Sequence, residues 1–399
     1  MAKNIIVIGI NYYPEDSAIG LYTTQKVEAL VSKGHNVTVI TGFPYYPAWE
    51  IKREYKTKPY LFEEEINGVR VLRSKQYVPK NPTFFKRIVH LISFTFGNFI
   101  NLFKVKKSPD LIISIVPFTT SILLGLILKI RYRSKLWVHV QDFEFDIAKQ
   151  SGLNSKNSLL HKILMYLEKI LLNSADIAST ISQGMKEILK QKSDSESFFL
   201  PNWIDNEKEI KFTTHRYLET KKVKVLYSGN IGEKQDWATF LKFCKKTSSK
   251  KYDITVVGDG AKKNWLLDNI KSFSHVKYFP PVPLNELSSL LRSADIHILF
   301  QKADVMDAVM PSKVLGMMAS SKPSLIIGND NSEIKTIFNS CCPGMFFNCY
   351  SDQVIAELDN LIKDPIKMSE MGRSANDYVV ANFSKNNVLS RFLEKIDLL

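Results

Sequence analysis

Pro311-Ser312-Lys313 opens an apolar helical run behind a strand-like stretch, Ile296, Ile298, Leu299 and Phe300, and residues of these types in this order could hold an anion. Proline in the first helical turn costs no hydrogen bond, and serine can cap the freed amides. Those amides, from Ser312 and Lys313 to Val314 and Leu315, together with the lysine ammonium, offer positive potential to a phosphate. Asp307, shortly before them, could accept from a sugar hydroxyl. Taken alone, the segment would equally serve an ordinary strand, loop and helix with a solvated lysine, because Pro-Ser starts many helices. Tyr227-Ser228-Gly229-Asn230-Ile231-Gly232 is a second candidate, leaving a strand-like run and meeting Glu233-Lys234-Gln235 at the next helix. Gly229 and Gly232 either let the backbone approach a ligand or simply turn the chain tightly. Gly258-Asp259-Gly260 follows the run Ile254 to Val257, but without a third glycine it reads at least as well as a plain turn. The first half has Gly9 and a long loop from Asn11 to Gly20, without Gly-x-Gly-x-x-Gly spacing. Its second strand ends at Thr41 with no carboxylate for a ribose, which argues against a nicotinamide dehydrogenase.

The elements that must position these residues alternate between strand and helix. Ile5 to Ile8, the helix Thr23 to Ser32, Val37 to Ile40, Val69 to Leu72, a basic helix and Leu111 to Val116 predict an α/β domain with a parallel sheet. A helix after Phe118, the strand Leu136 to Val140, a helix ending near Asn173 and the strand Ile177 to Thr180 continue it. A first domain over 1–204 closes at Pro201-Asn202-Trp203, and 205–222, charged and weakly periodic, reads as a linker. Val223 to Tyr227 then starts a second domain over 223–382 with the same grammar, through Ile254 to Val257, Val276 to Phe279, Ile296 to Phe300 and Ser324 to Ile327. Helices follow from Val354 to Leu399. Two such domains in tandem predict a binding cleft between them, at the carboxyl ends of their strands.

The 399 residues are enough for two sizeable cores, and 45% apolar with 24% charged residues is the composition of a globular chain. Cys244, Cys341, Cys342 and Cys349 lack paired Cys-x-x-Cys spacing, so neither a zinc site nor a disulfide framework is expected. Ile5 to Ile8 is too short for a secretory signal, and the apolar run around Ser121 to Leu128 is too short to cross a bilayer. A cytoplasmic location is expected. Charge is uneven: residues 1–204 carry 27 Lys and Arg against 17 Asp and Glu, a balance of +10 out of +14 for the chain. Nine of these bases and no acid lie between Glu65 and Asp110. Within that span Lys86, His90, Ser93, Gly97, Asn101 and Lys104 fall on one helical stripe. Phe85, Ile88, Ile92, Phe96, Phe99 and Phe103 form a broad apolar face, with Arg87, Lys106 and Lys107 at its flanks. Such a helix either lies in a membrane interface or packs into a core. Nucleic acid is a poorer partner, because the bases and aromatics segregate instead of interleaving.

Several of these segments resemble retaining glycosyltransferases of family four, of the GT-B fold, and more closely the branch that builds bacterial surface polysaccharides, including colanic acid and O-antigen (fucosamine-transferring) enzymes. The resemblance spans nearly the whole chain. It rests on Pro14-Glu15, Ile19-Gly20 and Tyr22-Thr23, on Gly34-His35-Asn36-Val37, and on Pro44-Tyr45-Tyr46-Pro47 with Trp49. His139-Val140-Gln141-Asp142, Pro201-Asn202-Trp203, Tyr227 to Gly232, Gly258 to Gly260 and Pro311 to Gly316 complete it. It implies two Rossmann-like domains facing across a cleft, with a nucleotide-sugar on the second, an acceptor on the first and a last helix, 383–399, crossing back. Gly20 would then join the donor site. His139 would contact the donor sugar, and Asp142 or Glu15 would accept from the acceptor hydroxyl. Two departures stand out. The family's ribose-binding glutamate falls at Gly316, and its phosphate-binding arginine is replaced by Asn230-Ile231, leaving Lys234, Gln235 or Lys313 to supply that charge.

The expected activity is transfer of a sugar from a nucleoside-diphosphate donor to an undecaprenyl-diphosphate-linked oligosaccharide in O-antigen, capsule or exopolysaccharide assembly. A UDP-sugar is favoured, for example an N-acetylated 6-deoxyhexosamine such as UDP-L-FucNAc. The enzyme would sit on the inner face of the cytoplasmic membrane. No Asp-x-Asp occurs, and the cationic phosphate site predicts a reaction with no metal and no cofactor. A nucleotide-sugar epimerase or hydrolase on the same scaffold, and a non-catalytic binder of anionic membrane or polysaccharide, are the alternative readings.

Overall fold

The computed structural model describes residues 1–15, 18–80, 83–117, 119–143, 159–204, 215–303 and 312–399. The chain divides into two units, Met1–Asn202 with Leu389–Leu399, and Trp203–Val388.

The first unit runs β1 (Asn4–Ile8), α1 (Ala18–Ser32), β2 (Asn36–Gly42), β3 (Leu61–Ile66), β4 (Val69–Ser74), α2 (Phe84–Asn101), β5 (Leu111–Val116), α3 (Thr120–Tyr132), β6 (Lys135–Val140), α4 (Leu159–Asn173), β7 (Ile177–Thr180), α5 (Gln183–Lys192) and β8 (Glu196–Phe199). The strands form one sheet in the order β3-β4-β2-β1-β5-β6-β7-β8. Pairing is parallel throughout, with Val7 between Val39 and Ile113, except that β3 lies antiparallel to β4. Helices cover the sheet's central strands, which explains why β5 is apolar but for Ser114: every one of its residues is buried. β4 is the strand read from Val69 to Leu72, whereas β3, its hairpin partner, is absent from the pattern read in the sequence. Asn67 at φ 50° and Gly68 at φ 76° make its two-residue turn, and Asn-Gly is the strongest short hairpin signal. The acidic run Glu63-Glu64-Glu65 hides the strand's alternation.

The second unit holds β9 (Val223–Ser228), α6 (Trp237–Lys246), β10 (Tyr252–Val257), α7 (Lys263–Ile270), β11 (Val276–Phe279), α8 (Leu284–Ser293), β12 (Ile296–Phe300), α9 (Ser312–Ala319), β13 (Ser324–Ile327), α10 (Glu333–Cys341), β14 (Gly344–Phe347), α11 (Asp352–Leu361) and α12 (Pro365–Phe383). Its sheet is wholly parallel, in the order β11-β10-β9-β12-β13-β14. Side-chain caps set several helix starts: Asp236 Oδ1 accepts from Thr239 N at 3.0 Å, and Asp364 accepts from Lys367 N beside Pro365. The last helix, α13 (Lys385–Asp397), begins in this unit, and its residues from Leu389 onward belong to the first, where Phe392 packs on Trp137. Both units are therefore α/β and Rossmann-like. Among the described residues no helix is long and apolar enough to cross a membrane.

Candidate functional site

In the second unit β9 and β12 are neighbours, so the turns at their carboxyl ends meet. Lys313, in the first turn of α9, donates from Nζ to the Tyr227 hydroxyl at 3.1 Å and lies 5.0 Å from that ring's centre. Tyr227 in turn donates to Asn230 O at 2.6 Å, and burial raises its phenol pKa, so it stays protonated and keeps that bond. Gly229, at φ 136°, stands directly under the lysine: a Cβ there would lie 3.4 Å from Nζ. Gly258 and Gly260 serve this turn from β10. A Cβ on Gly258 would fall 1.9 Å from Gly229 O, and one on Gly260 would fall 2.5 Å from Asn230 Oδ1. The two glycines thus allow two turns to touch, a structural task. Ile231 N donates to Asp259 O at 2.8 Å and locks the contact.

Gln235 is buried and accepts from Gly232 N at 3.0 Å, so it braces the turn; Asn230 and Lys234 are exposed. Lys234 O accepts from Lys302 N at 3.1 Å, joining the turn to the end of β12. Val314 and Leu315 bury their side chains, and α9 begins at Ser312. Asp307 and Pro311 lie outside the described residues. At Gly316 a Cβ would meet Leu291 Cδ1 of α8 at 3.3 Å, so this position brings two helices together. The arrangement can bind an anion: one lysine, half-buried and oriented by a phenol, beside a glycine backbone and a helix N-terminus.

In the first unit, Glu15 is 2% exposed. Its Oε1 accepts from Tyr45 N and Tyr46 N at 2.7 and 2.8 Å, and its Oε2 from Asn11 Nδ2 at 2.7 Å. Desolvation raises its pKa, opposed by these hydrogen bonds. Gly20 exists for the same contact, because a Cβ there would lie 2.7 Å from Glu15 Cβ. The expected proton-accepting role meets a carboxylate whose oxygens are committed to the loops after β1 and β2. His139, at 1% exposure, is likewise held internally. Lys26 Nζ and Gln141 Nε2 both approach its Nε2, at 3.0 and 3.1 Å, and Ser179 Oγ lies 2.8 Å from Nδ1. Two donors at Nε2 assign the proton to Nδ1, which donates to Ser179. Burial and then the Lys26 charge hold the imidazole pKa well below 6.5, and burial brings that of Lys26 down to about 7. Asp142, half-buried, follows β6. The sequence reading missed Lys26, and it took Tyr227 only as the start of the glycine turn. Lys26 was visible as a lysine on the stripe Thr23, Lys26, Val27 and Leu30, all buried.

The helix α2 turns its polar stripe inward. His90, Asn98 and Asn101 are buried, Ser93 Oγ accepts from Tyr77 N at 2.9 Å, and a Cβ on Gly97 would lie 2.6 Å from Ser74 Cβ of β4. Its apolar face looks outward: Phe96 is 64% exposed, and Phe103, in the turn directly after the helix, is 67% exposed. Lys86, Arg87, Lys106 and Lys107 are exposed and Lys104 half-buried, with the Arg87 guanidinium 5.6 Å from the Trp49 ring centre. Phe85 lies in the first turn of α2. Among the described residues, no three His, Cys, Asp or Glu converge as metal ligands.

Two Rossmann-like units, one with a lysine and a glycine turn at the strand ends, have the fold of the GT-B class. Residues 17–203 match the glycosyl transferase 4-like domain and residues 209–378 match glycosyl transferases group 1. WcaI of Escherichia coli (strain K12), assigned as a colanic acid biosynthesis glycosyl transferase, is 31% identical over 409 residues, 98% of this chain and 99% of that one. The chain belongs to the group 1 glycosyltransferases. In fold it is similar to sucrose-phosphate synthase from Thermosynechococcus elongatus, with a TM-score of 0.72 at 13% identity over 99% of this chain and 98% of that one. It is also similar to HepE from Anabaena in complex with UDP-glucose, with a TM-score of 0.64 at 12% identity over the whole of both chains.

Proposed function

We propose that the chain transfers a sugar, with retention at the anomeric carbon, from a UDP-sugar to a lipid-linked oligosaccharide during assembly of a bacterial surface polysaccharide. The observation that carries the donor reading is Lys313 Nζ beside Gly229 and the Tyr227 hydroxyl, at the N-terminus of α9. UDP is favoured because the similar fold of HepE holds UDP-glucose, and a UDP-N-acetyl-6-deoxyhexosamine such as UDP-L-FucNAc follows from the resemblance. The likeness to WcaI supports the polysaccharide pathway. The bond from the anomeric carbon to the diphosphate oxygen breaks as the acceptor oxygen bonds to that carbon, through an oxocarbenium-like transition state. Charge gathers on the leaving diphosphate, where Lys313 and the α9 amides neutralise it; such electrostatic stabilisation is commonly the largest catalytic term. The hydroxyl proton passes to the leaving phosphate or to Asp142, while within the first unit Glu15 braces the loops after β1 and β2 and His139 braces the end of β6.

With that cationic charge supplied by the protein, the reaction needs no divalent metal in this scheme, and EDTA should leave turnover unchanged. The acceptor is undecaprenyl-diphosphate-linked, and α2 meets the cytoplasmic face of the membrane that carries it, its phenylalanines at depth and its lysines among phosphates. A thermal-shift screen of nucleoside-diphosphate sugars tests the donor reading. A UDP-sugar should stabilise the wild type and not Lys313→Ala; stabilisation by no donor overturns it. The anomeric configuration of the product, read by NMR, tests retention.

A further inference from the structure

The outward apolar face of α2 does not stand alone. Right-handed crossovers from β4 to β5, β5 to β6 and β6 to β7 place α2, α3 and α4 on one face of the first sheet. In keeping with that, α3 packs against both α2 and α4. Of the twenty large apolar residues that stand exposed among those described, eleven lie on these three helices, and Phe103 follows directly on the end of α2. On α4 they are Ile163, Tyr166, Leu167 and Ile170, one stripe at i, i+3, i+4 and i+7, with Tyr166 66% exposed. On α3 Ile130 is 71% exposed, and Leu123, two turns earlier, is exposed as well. Monomeric proteins rarely leave so extended an apolar surface in water.

Charge says what covers it. Neither α2 nor α3 contains an acidic residue, and the one acid of α4, Glu168, is turned inward and paired with Lys192 Nζ at 2.6 Å. Lys162 and Lys169 on α4 and Arg131 on α3 are exposed beside the apolar stripes. A second copy of this chain fits poorly, because a two-fold contact on this face would set lysine against lysine. An anionic bilayer fits both features: apolar side chains enter the acyl boundary and bases meet lipid phosphates.

We propose that α4, with the exposed end of α3, is a second membrane-contact element beside α2, and that the first unit lies on an anionic bilayer through all three helices. The proposal rests on the reading that α2 meets the membrane, and it predicts a contact that α2 alone does not make. The test is co-sedimentation of the full chain with vesicles of phosphatidylethanolamine and phosphatidylglycerol, and with phosphatidylcholine vesicles. Tyr166→Ser with Ile170→Ser, leaving α2 intact, should lower the anionic-vesicle partition coefficient by about tenfold or more. Lys162→Glu with Lys169→Glu should do the same on anionic vesicles only; as exposed charge changes, these keep the test open should the first variant not fold. Thermal stabilisation by a UDP-sugar should be unchanged in both. Folded α4 variants that partition like the wild type overturn the proposal; if Phe96→Ser with Phe103→Ser still loses binding, the α2 reading survives that failure. A wild-type dimer that the α4 variants split, with vesicle partition unchanged, would make this face an interface between copies and likewise overturn it.

Discussion

A side chain at position 229 would bring its Cβ within 3.4 Å of the Lys313 ammonium, at a backbone φ of 136° that non-glycine residues rarely adopt. Gly229→Ala should therefore weaken donor-induced thermal stabilisation by about tenfold in apparent affinity, while lowering fold stability by only about 1–2 kcal/mol. A variant that binds the donor as the wild type does would separate the glycine from the anion site. The buried Lys26 and His139 make a second prediction, in pH. Lys26 titrates near 7 in the folded chain against 10.5 unfolded. Between those values the unfolded chain holds a proton that the folded chain sheds, so this site's contribution to stability grows as pH rises from about 7. His139 acts in the same direction lower down: its folded pKa is depressed below 6.5, so stability is lost as pH falls through the range beneath 6.5. Denaturant midpoints measured from pH 7 to 9 should rise less steeply in Lys26→Met than in the wild type. Equal slopes would place the buried charge elsewhere.

At the scale of elements, α2 hangs on Gly97, where the helix backbone approaches β4 too closely for a side chain: a Cβ would sit 2.6 Å from that of Ser74. Gly97→Val should destabilise the first unit by about 2–3 kcal/mol through overpacking, seen as a lower denaturant midpoint; an unchanged midpoint would mean that α2 can move away without loss. Such contacts explain which elements could be read from the sequence. β1, β5 and β6 are largely apolar runs because they are buried, and burial is what hydropathy records. β3 was invisible because Leu61 to Ile66 sits at a sheet edge, where three glutamates in succession are tolerated. The helical stripes of α2 were legible from spacing, but not their direction. Apolar periodicity ordinarily points inward, and here Gly97, Ser93 and Asn101 decide that the polar side meets the sheet. In the second unit the glycine turn and Lys313 were legible as types, whereas the phenol of Tyr227 that joins them depends on β9 and β12 being neighbours, which no local pattern states.

At the scale of the molecule, the net charge of +14 is concentrated in the first half, and the exposed phenylalanines lie within the same acid-free span. Two forces with different salt dependence would then hold the chain to a bilayer. Raising ionic strength from about 0.1 M to 1 M shortens the Debye length from about 10 Å to 3 Å, which removes most of the attraction between surface lysines and lipid phosphates. Burial of Phe96, Phe99 and Phe103 in the acyl boundary is not screened. Co-sedimentation of the wild type with anionic vesicles should therefore fall with salt to a non-zero plateau. Phe96→Ser, Phe99→Ser and Phe103→Ser together should fall to a lower plateau than the wild type, held by the apolar stripes of α3 and α4, while Lys104→Gln, Lys106→Gln and Lys107→Gln together should begin lower and vary less. If the wild type is released completely at high salt, its contact is electrostatic alone, and the outward phenylalanines of α2 serve some purpose other than entering lipid.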